Sequence, residues 1–460
     1  MPTADSLLQQ AWQIHQQGQV QRAEEVYRHV LKQLPNLANA WCFLGIALHD
    51  QHRYREAIDA YRKALALQPE FPVALNNLGN SLRYDYQTEE ADACFQKAIA
   101  LKPDYVNAFK NRGTLHVWSG NHQLALKCYQ QAMALAPQDA ELHRNLGVLY
   151  LLQGRFEEGW REYRWRWMCP EMPRPKHPAP LWQGEELRGK RILLYAEQGL
   201  GDTFHFLRYA KILKERGAFV IVHGPGSLTA LLGKLPYIDM WIPQTLAVET
   251  NFDFHCSLVD VADVLRTDLN TIPRDVPYVS APSYLVNYWQ GWVQKQPPAK
   301  MRIGLVWQGN KDHQADAFRS FKVSTYEPLS QIPGVSLYSL QFGYGKEQEA
   351  QWKGAVPLRT LPENVDQSSG AFMDTSAILA HLDLVITSDT SIAHLCGAMG
   401  LPVWVLLGLM PDWRWLLDRE DSVWYPSMRL FRQTSQGDWS HPMARICDAV
   451  QQSIASSSTP

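Results

Sequence analysis

No stretch of this chain is apolar for long enough to cross a bilayer. The longest apolar run, Val403 to Met410, is eight residues, against the roughly 20 that a spanning helix needs. The start, MPTADSLLQQAWQ, has neither a basic head nor an apolar stretch, so no secretory signal is read there and a cytoplasmic location is expected. Cysteine is sparse and unpaired in pattern. The seven residues Cys42, Cys94, Cys128, Cys169, Cys256, Cys396 and Cys447 are odd in number and contain no C-x-x-C, which argues against a disulfide framework or a zinc site and for buried free thiols. Neither sign of charge is in excess: 44 Lys and Arg face 46 Asp and Glu, for a net charge of -2. A nucleic-acid partner is not expected, because phosphate-backbone binding needs a basic surplus. Also missing are a G-x-x-x-x-G-K-[ST] phosphate loop, a G-x-S-x-G elbow, a D-x-D pair and any His, Asp or Glu cluster with metal-ligand spacing.

What is present begins with a repeat. Gly45, Gly79, Gly113 and Gly147 are 34 residues apart, and Pro35, Pro69, Pro103 and Pro137 keep the same step. So do Ala23, Ala57, Ala91 and Ala125, while Tyr27, Tyr61, Phe95, Tyr129 and Tyr163 supply one large aromatic per unit. This period, with Trp41-Cys42-Phe43-Leu44-Gly45 opening one unit, is the tetratricopeptide (TPR) signature. It predicts stacked helix pairs with a concave surface for extended polypeptide, so a protein or peptide partner is expected. About five repeats are placed in residues 1–168. The fifth is modified, with Gly159 in the usual Ala position and Trp160, Trp165 and Trp167 expected to cover its last apolar face. His49 and His52 are placed at a turn, on the surface.

A proline-rich connector, 169–189, comes next. From Arg191 the pattern changes to short apolar runs separated by amphipathic segments, such as RILLYA, AFVIVHG, IDMWIP and FDFHCS. Such runs predict parallel strands buried on both faces. The pattern restarts near Pro297-Pro298 with RIGLVW, VSLYSLQ, LVITSD and PVWVLLG. Two Rossmann-like lobes are therefore expected, 190–297 and 298–460, the second ending in a helix (Met443 to Ser456) that packs back across the first.

In open α/β sheets ligands sit beyond the carboxyl ends of the strands, and three loops at such ends carry chemistry. In Glu197-Gln198-Gly199-Leu200-Gly201-Asp202, Gly199 and Gly201 permit close approach and Asp202 projects at a helix start. A plain N-cap Asp beside turn glycines explains the same string. In Ser388-Asp389-Thr390-Ser391-Ile392-Ala393-His394, hydroxyls and free N–H groups at a helix start suit phosphate oxygens. A capped helix with a core histidine is the competing reading. In Gln308 to Lys322, Arg319 and Lys322 can neutralise a diphosphate, or the loop is simply solvated. The segment PDWRWLLDREDSVWYP stacks a base or shapes an acceptor site, or is a plug of core tryptophans.

EQGLGD together with DTSIAHLCGAMGLPVW resembles glycosyltransferase family 9, the heptosyltransferase-like enzymes. The TPR-fused branch is the nearest pattern, since RSF, LDLVITSDTSIAH and PDWRWL also fit it. The resemblance covers roughly residues 182–445 and implies a TPR solenoid followed by a GT-B fold of two Rossmann-like lobes. It further implies metal-independent, inverting transfer from a nucleotide-diphosphate sugar, with no cofactor. The family's general base falls on Asp202. Its donor contacts fall on Asp389, Thr390, Ser391 and His394, within a donor set that also takes in Gly199, Gly201, Gln308, Arg319, Ser320 and Lys322. Heptosyltransferases proper use a lysine where Arg319 or Lys322 stands here, and they carry no repeats.

Asn77, Asn111 and Asn145 hold one position in successive repeats, two residues before the repeated Gly. An amide donates and accepts at once and can grip a peptide backbone of any sequence. This ladder resembles that of the TPR-containing O-linked N-acetylglucosamine transferases. The expected function is a protein O-glycosyltransferase whose repeats hold the acceptor. The alternatives are transfer to a glycan or lipopolysaccharide-type acceptor, and a scaffold that has lost activity.

Overall fold

The computed structural model describes residues 3–312 and 316–456; His313 to Ala315, in the loop after RIGLVW, lie outside them. The chain divides into two compact units, Met1–Leu149 and Tyr150–Pro460.

Helices alternate in pairs along the repeats: α1 (Ala4–Gln16), α2 (Val20–Gln33), α3 (Ala38–Asp50), α4 (Tyr54–Leu67), α5 (Pro72–Tyr84), α6 (Thr88–Leu101), α7 (Val106–Trp118), α8 (His122–Leu135), α9 (Ala140–Leu152) and α10 (Phe156–Tyr163). The repeated prolines set where the second helix of each pair stops. Leu34, Gln68, Lys102 and Ala136 each precede a proline and sit at φ between -129° and -139° with ψ between 72° and 90°. A proline ring forces its predecessor out of helical geometry in this way. The repeated glycine and the repeated aromatic meet. A Cβ on Gly45 would lie 2.5 Å from the Tyr61 ring, and one on Gly113 2.5 Å from Tyr129. The repeated alanines are fully buried between the same helices. Periodicity in sequence is thus periodicity of packing. His49 is not at a turn: it lies within α3, its Nδ1 is 2.9 Å from Ser81 Oγ, and burial lowers its pKa to about 4.

Helix α10 belongs to the second unit, so the modified fifth repeat packs with the α/β part of the chain. Two sheets, both wholly parallel, form the core of that unit. The first contains β1 (Arg191–Tyr195), β2 (Phe219–Gly224), β3 (Met240–Pro243) and β4 (Phe254–Ser257) in the order β3-β2-β1-β4. The second contains β5 (Met301–Val306), β6 (Val335–Ser339), β7 (Leu358–Arg359), β8 (Leu384–Ser388), β9 (Val403–Leu407) and β10 (Met428–Arg432) in the order β10-β9-β8-β5-β6-β7. The winding reverses between β1 and β4 in one sheet and between β5 and β8 in the other. Loops that leave these strands therefore border the crevice where ligands of such sheets bind.

Three boundaries differ from expectation. The end of the connector is no free spacer, because Leu181 bridges to His255 of β4 and Trp182 is buried. Helix Ser283–Gln294 lies with the second sheet: Trp289 donates to Asp374 at 2.8 Å and Trp292 packs on Tyr338 of β6. The lobe boundary thus moves back from 297 to before Ser283. The last helix, Ser440–Ser456, packs on its own lobe, with Ile446, Val450 and Ile454 against Ile303, Leu305 and Phe431. Its apolar face matches the nearest uncovered strand face, so it does not cross to the first lobe.

All seven cysteines are free and six are buried. Among the described residues no helix is long and apolar enough to cross a membrane, and no group of three His, Cys, Asp or Glu is arranged to hold a metal.

Candidate active site

Every polar member of the loop after β1 has a partner. Glu197 receives the buried Arg166 through two bonds, at 2.6 and 2.8 Å, and also accepts from Ser257. Arg166 further donates to Asp260 at 2.6 Å, so one guanidinium bridges two carboxylates, with Arg174 3.6 Å from the second. Gln198, at φ 64°, donates to Tyr163 at 2.8 Å. The end of the last repeat thereby fixes the start of the loop. Gly199 caps helix Leu200–Phe206, its N–H donating to Asp202 Oδ2 at 2.8 Å. Asp202 is thus not the N-cap itself: it stands at the third helical position, and one of its two oxygens accepts from the N-cap Gly199.

The other oxygen has a partner that the sequence did not single out. Asp202 Oδ1 accepts from Arg414 Nη2. Arg414 also donates to Asp412 at 2.8 Å, and its guanidinium lies 4.5 Å over the Trp413 ring. Its Nε is buried with no hydrogen-bond partner. Burial works against the charge, but Asp412 and then Asp202 more than offset it and raise the pKa above the usual arginine value.

Gly201 serves packing between helices. A Cβ there would lie 2.9 Å from His394 Cδ2 and 3.5 Å from the Ser391 Cα. Helix Leu200–Phe206 thus crosses the start of helix Ser391–Ala398, and the loops after β1 and β8 come together. The close approach expected at Gly201 includes one to His394 of the neighbouring helix.

In the loop after β8, burial and then the Asp412 carboxylate push the pKa of Asp389 up to about 6, while Arg319, Trp415 and Arg414 oppose the rise. Asp202, Asp389, Asp412, Arg319 and Arg414 form one electrostatic cluster. Thr390 does not cap the helix. Its Oγ1 is 3.0 Å from Thr387 Oγ1, whose own proton goes to the Ser388 carbonyl, so Thr390 donates to Thr387. In this arrangement the Thr390 hydroxyl is paired within the protein. Ser391 is half-buried at the helix start.

His394 is a buried, neutral histidine. Burial lowers its pKa well below 6.5, helped by Arg414, Arg208 and Arg319. Its ring stacks on Trp415 at 5.1 Å. Nδ1 of His394 and Nδ1 of His205 are each 3.0 Å from the Tyr425 hydroxyl. A hydroxyl has one proton, so one imidazole receives it and the other donates its own N–H.

In the loop after β5, Asp316 organises the polar groups. Its Oδ1 accepts from Ser320 Oγ at 2.8 Å and from Arg319 Nε at 3.4 Å, and Ser320 Oγ accepts the Gly309 N–H at 3.1 Å. The field of Arg319, like that of Arg414, reaches both Asp389 and His394. Lys322 is exposed where helix Val323–Gln331 begins, and no ion pair among the described residues holds it. Gln308 turns to Gln348, which donates to its side chain at 3.1 Å. The structure therefore gathers Asp202, Asp389, Ser391, His394 and Arg319. Gln308 pairs with Gln348, Ser320 joins Arg319 on Asp316 and Lys322 is exposed, while Asp412, Arg414, His205 and Tyr425 are added. Within PDWRWLL, Trp413 and Trp415 are core residues, as the plug reading expected, and the arginine between them is the polar member.

Two of the ladder asparagines are linked in the first unit. Asn111 donates to the buried Asn76 at 2.9 Å, and Asn76 donates to Asn77 at 3.2 Å. Part of each amide is used within the protein.

Comparison with known proteins supports the repeats. Tetratricopeptide repeat models match residues 38–71 and 73–102, and a TPR repeat model matches 117–154. Tetratricopeptide repeats form the N-terminal part of this chain. Protein FlbA of Caulobacter vibrioides is 28% identical over 323 residues, which cover 66% of this chain and 54% of that protein. The chain thus spans about half the length of this curated relative. Because 66% of the chain exceeds the repeat region, the similarity runs on into the α/β part. Among solved structures, MamA is 23% identical over 36% of this chain and 92% of its own, with a TM-score of 0.31. A thermophilic TPR protein in Thermus thermophilus is 20% identical over 37% and 93%, with a TM-score of 0.35. Pseudomonas aeruginosa pilF is 19% identical over 46% and 85%, with a TM-score of 0.36.

Proposed function

We propose that the chain is a metal-independent, inverting glycosyltransferase of the GT-B type that moves a sugar from a nucleotide-diphosphate donor to a protein hydroxyl. One observation carries it: the loops after β1, β5 and β8, each at a winding reversal, bring Asp202, Arg319 and the start of helix Ser391–Ala398 into one cluster. Such transfer needs a carboxylate for the acceptor proton, and cations with oriented N–H groups for the leaving diphosphate. Arg319 and Arg414 supply the cations, and the first-turn N–H groups of Ser391 and Ile392 supply the donors. His394, held neutral, is suited to hydrogen bonding with a sugar or phosphate rather than to charge neutralisation. The repeats take the role of acceptor holder.

A nucleotide-sugar panel tests this. Turnover should appear with one donor class, as hydrolysis or as transfer, and Asp202→Asn should lower it by ~10²–10⁴-fold without loss of donor binding. Unchanged turnover in Asp202→Asn would leave Asp202 with its capping role alone. The inactive-scaffold reading has one observation in its favour, since both oxygens of Asp202 already accept a donor. Absence of donor binding in the wild type would decide for it.

A further inference from the structure

The contact that favours an inactive protein is also the one a donor substrate is equipped to break. We propose that Arg414 exchanges partners: without donor it holds Asp202, and a bound diphosphate draws it away and frees the carboxylate for the acceptor. This rests on the transferase reading and adds regulation to the same site.

Three features of the cluster support the exchange. Arg414 is only 5% exposed and serves two carboxylates, yet its Nε has no partner, so its hydrogen-bonding capacity is not filled. The cluster holds four carboxylates, Asp202, Asp316, Asp389 and Asp412, against two cations, Arg319 and Arg414. A diphosphate arriving there adds negative charge, and it is accommodated only if those two cations turn toward it. Finally, the segment carrying Arg414 leaves helix Trp413–Trp415 through Leu416 at φ 52° and Asp418 at φ 51°. Two non-glycine residues in left-handed backbone mark a segment held in place by its surroundings, as in elements with two arrangements.

In the reaction, the acceptor oxygen bonds to the anomeric carbon and its proton passes to Asp202. The bond from that carbon to the β-phosphate oxygen breaks, and its electron pair leaves with the nucleoside diphosphate. Arg414 is then paired with the leaving group, so the base is released only when a donor is present. Water reaching an empty site meets an occupied carboxylate.

The test is titration calorimetry with inorganic pyrophosphate, ADP, GDP, UDP and CMP on wild type, Asp202→Asn, Arg414→Gln and the double variant. Exchange predicts that Asp202→Asn binds the preferred nucleotide at least about 3-fold tighter, because Arg414 no longer has to leave a carboxylate. Arg414→Gln should bind at least about 10-fold weaker. In the double variant the gain from Asp202→Asn should vanish, whereas simple removal of a negative charge would tighten binding with or without Arg414. Because the guanidinium leaves the Trp413 ring, indole emission should change on titration in wild type and not in Arg414→Gln. If Arg414→Gln does not fold, Arg414→Lys replaces it, with weaker binding expected because the planar fork is lost. Equal affinity in wild type, Asp202→Asn and Arg414→Gln overturns the exchange while leaving a nucleotide site in place. No binding of any of the five to wild type overturns the transferase reading and the exchange with it.

Discussion

At the scale of single residues, Asp389 makes the site sensitive to pH. Its carboxyl, beside Asp412 and faced by Arg319, Arg414 and Trp415, titrates at about 6 instead of its usual 3.8. A raised acid pKa means that the folded protein holds a proton that the unfolded chain has already lost. Stability therefore falls as pH rises from about 4 to about 6, by about 1–3 kcal/mol for this group. Asp389→Asn should flatten that part of a stability-pH curve measured by urea unfolding. Binding of a nucleotide-diphosphate sugar, whose phosphates stay ionised across this range, should strengthen as pH drops from about 7 to about 5.5 in wild type and not in Asp389→Asn; the opposite slope would remove Asp389 from the site. Tyr425→Phe deletes the hydroxyl shared by His205 and His394. Both imidazoles lose a partner in a buried setting, so a loss of about 1–3 kcal/mol is expected by thermal unfolding. At the helix start, Ser391→Ala should weaken diphosphate binding more than Thr390→Val, whose hydroxyl points to Thr387.

At the scale of elements, helix crossings set what the site can tolerate. Gly201→Ala places a methyl group 2.9 Å from His394. It should push helices Leu200–Phe206 and Ser391–Ala398 apart, costing about 1–3 kcal/mol and weakening nucleotide binding together with stability. Arg166→Met leaves buried Glu197 without a cation and Asp260 with only Arg174 at 3.6 Å, at a cost of about 3–5 kcal/mol in chemical unfolding. A loss under about 1 kcal/mol would mean that water reaches that cluster. Most elements were legible in the sequence because their cause is local. Pro35, Pro69, Pro103 and Pro137 stop helices through backbone sterics, and runs such as RILLY and LVITS are strands because both of their faces are buried. β7 has two residues and leaves no pattern to find. β10, MRLFR, carries arginines three positions apart, on opposite faces, so no period-2 pattern marks it as a strand. The final helix is amphipathic in sequence, but its partner surface is a property of the sheet it covers.

At the scale of the whole chain, two kinds of information are joined. The repeats announce themselves by period, whereas the site is built by residues far apart in sequence: Asp202 and Arg414 are 212 positions apart. Asp202, Asp389 and His394 were visible because they follow strands in short, glycine- or hydroxyl-rich loops. Arg414 was not, because an arginine between two tryptophans looks like part of a surface or a plug until the fold buries it. If the repeats hold the acceptor, replacing Asn77, Asn111 and Asn145 by Ala should reduce transfer to protein about tenfold or more, at about 0.5–1.5 kcal/mol for each lost amide pair. Donor hydrolysis should persist, and equal losses of both activities would mean general destabilisation. The α/β part answers to a simpler test, because a ligand that binds the folded state raises its stability by about 2.7 kcal/mol at about a hundred times its dissociation constant. Thermal unfolding of wild type and Arg319→Ala should be followed with a panel of nucleotide-diphosphate sugars. A rise in melting temperature of several degrees with one donor class in wild type, largely lost in Arg319→Ala, is the predicted result; no rise with any nucleotide sugar would contradict the site.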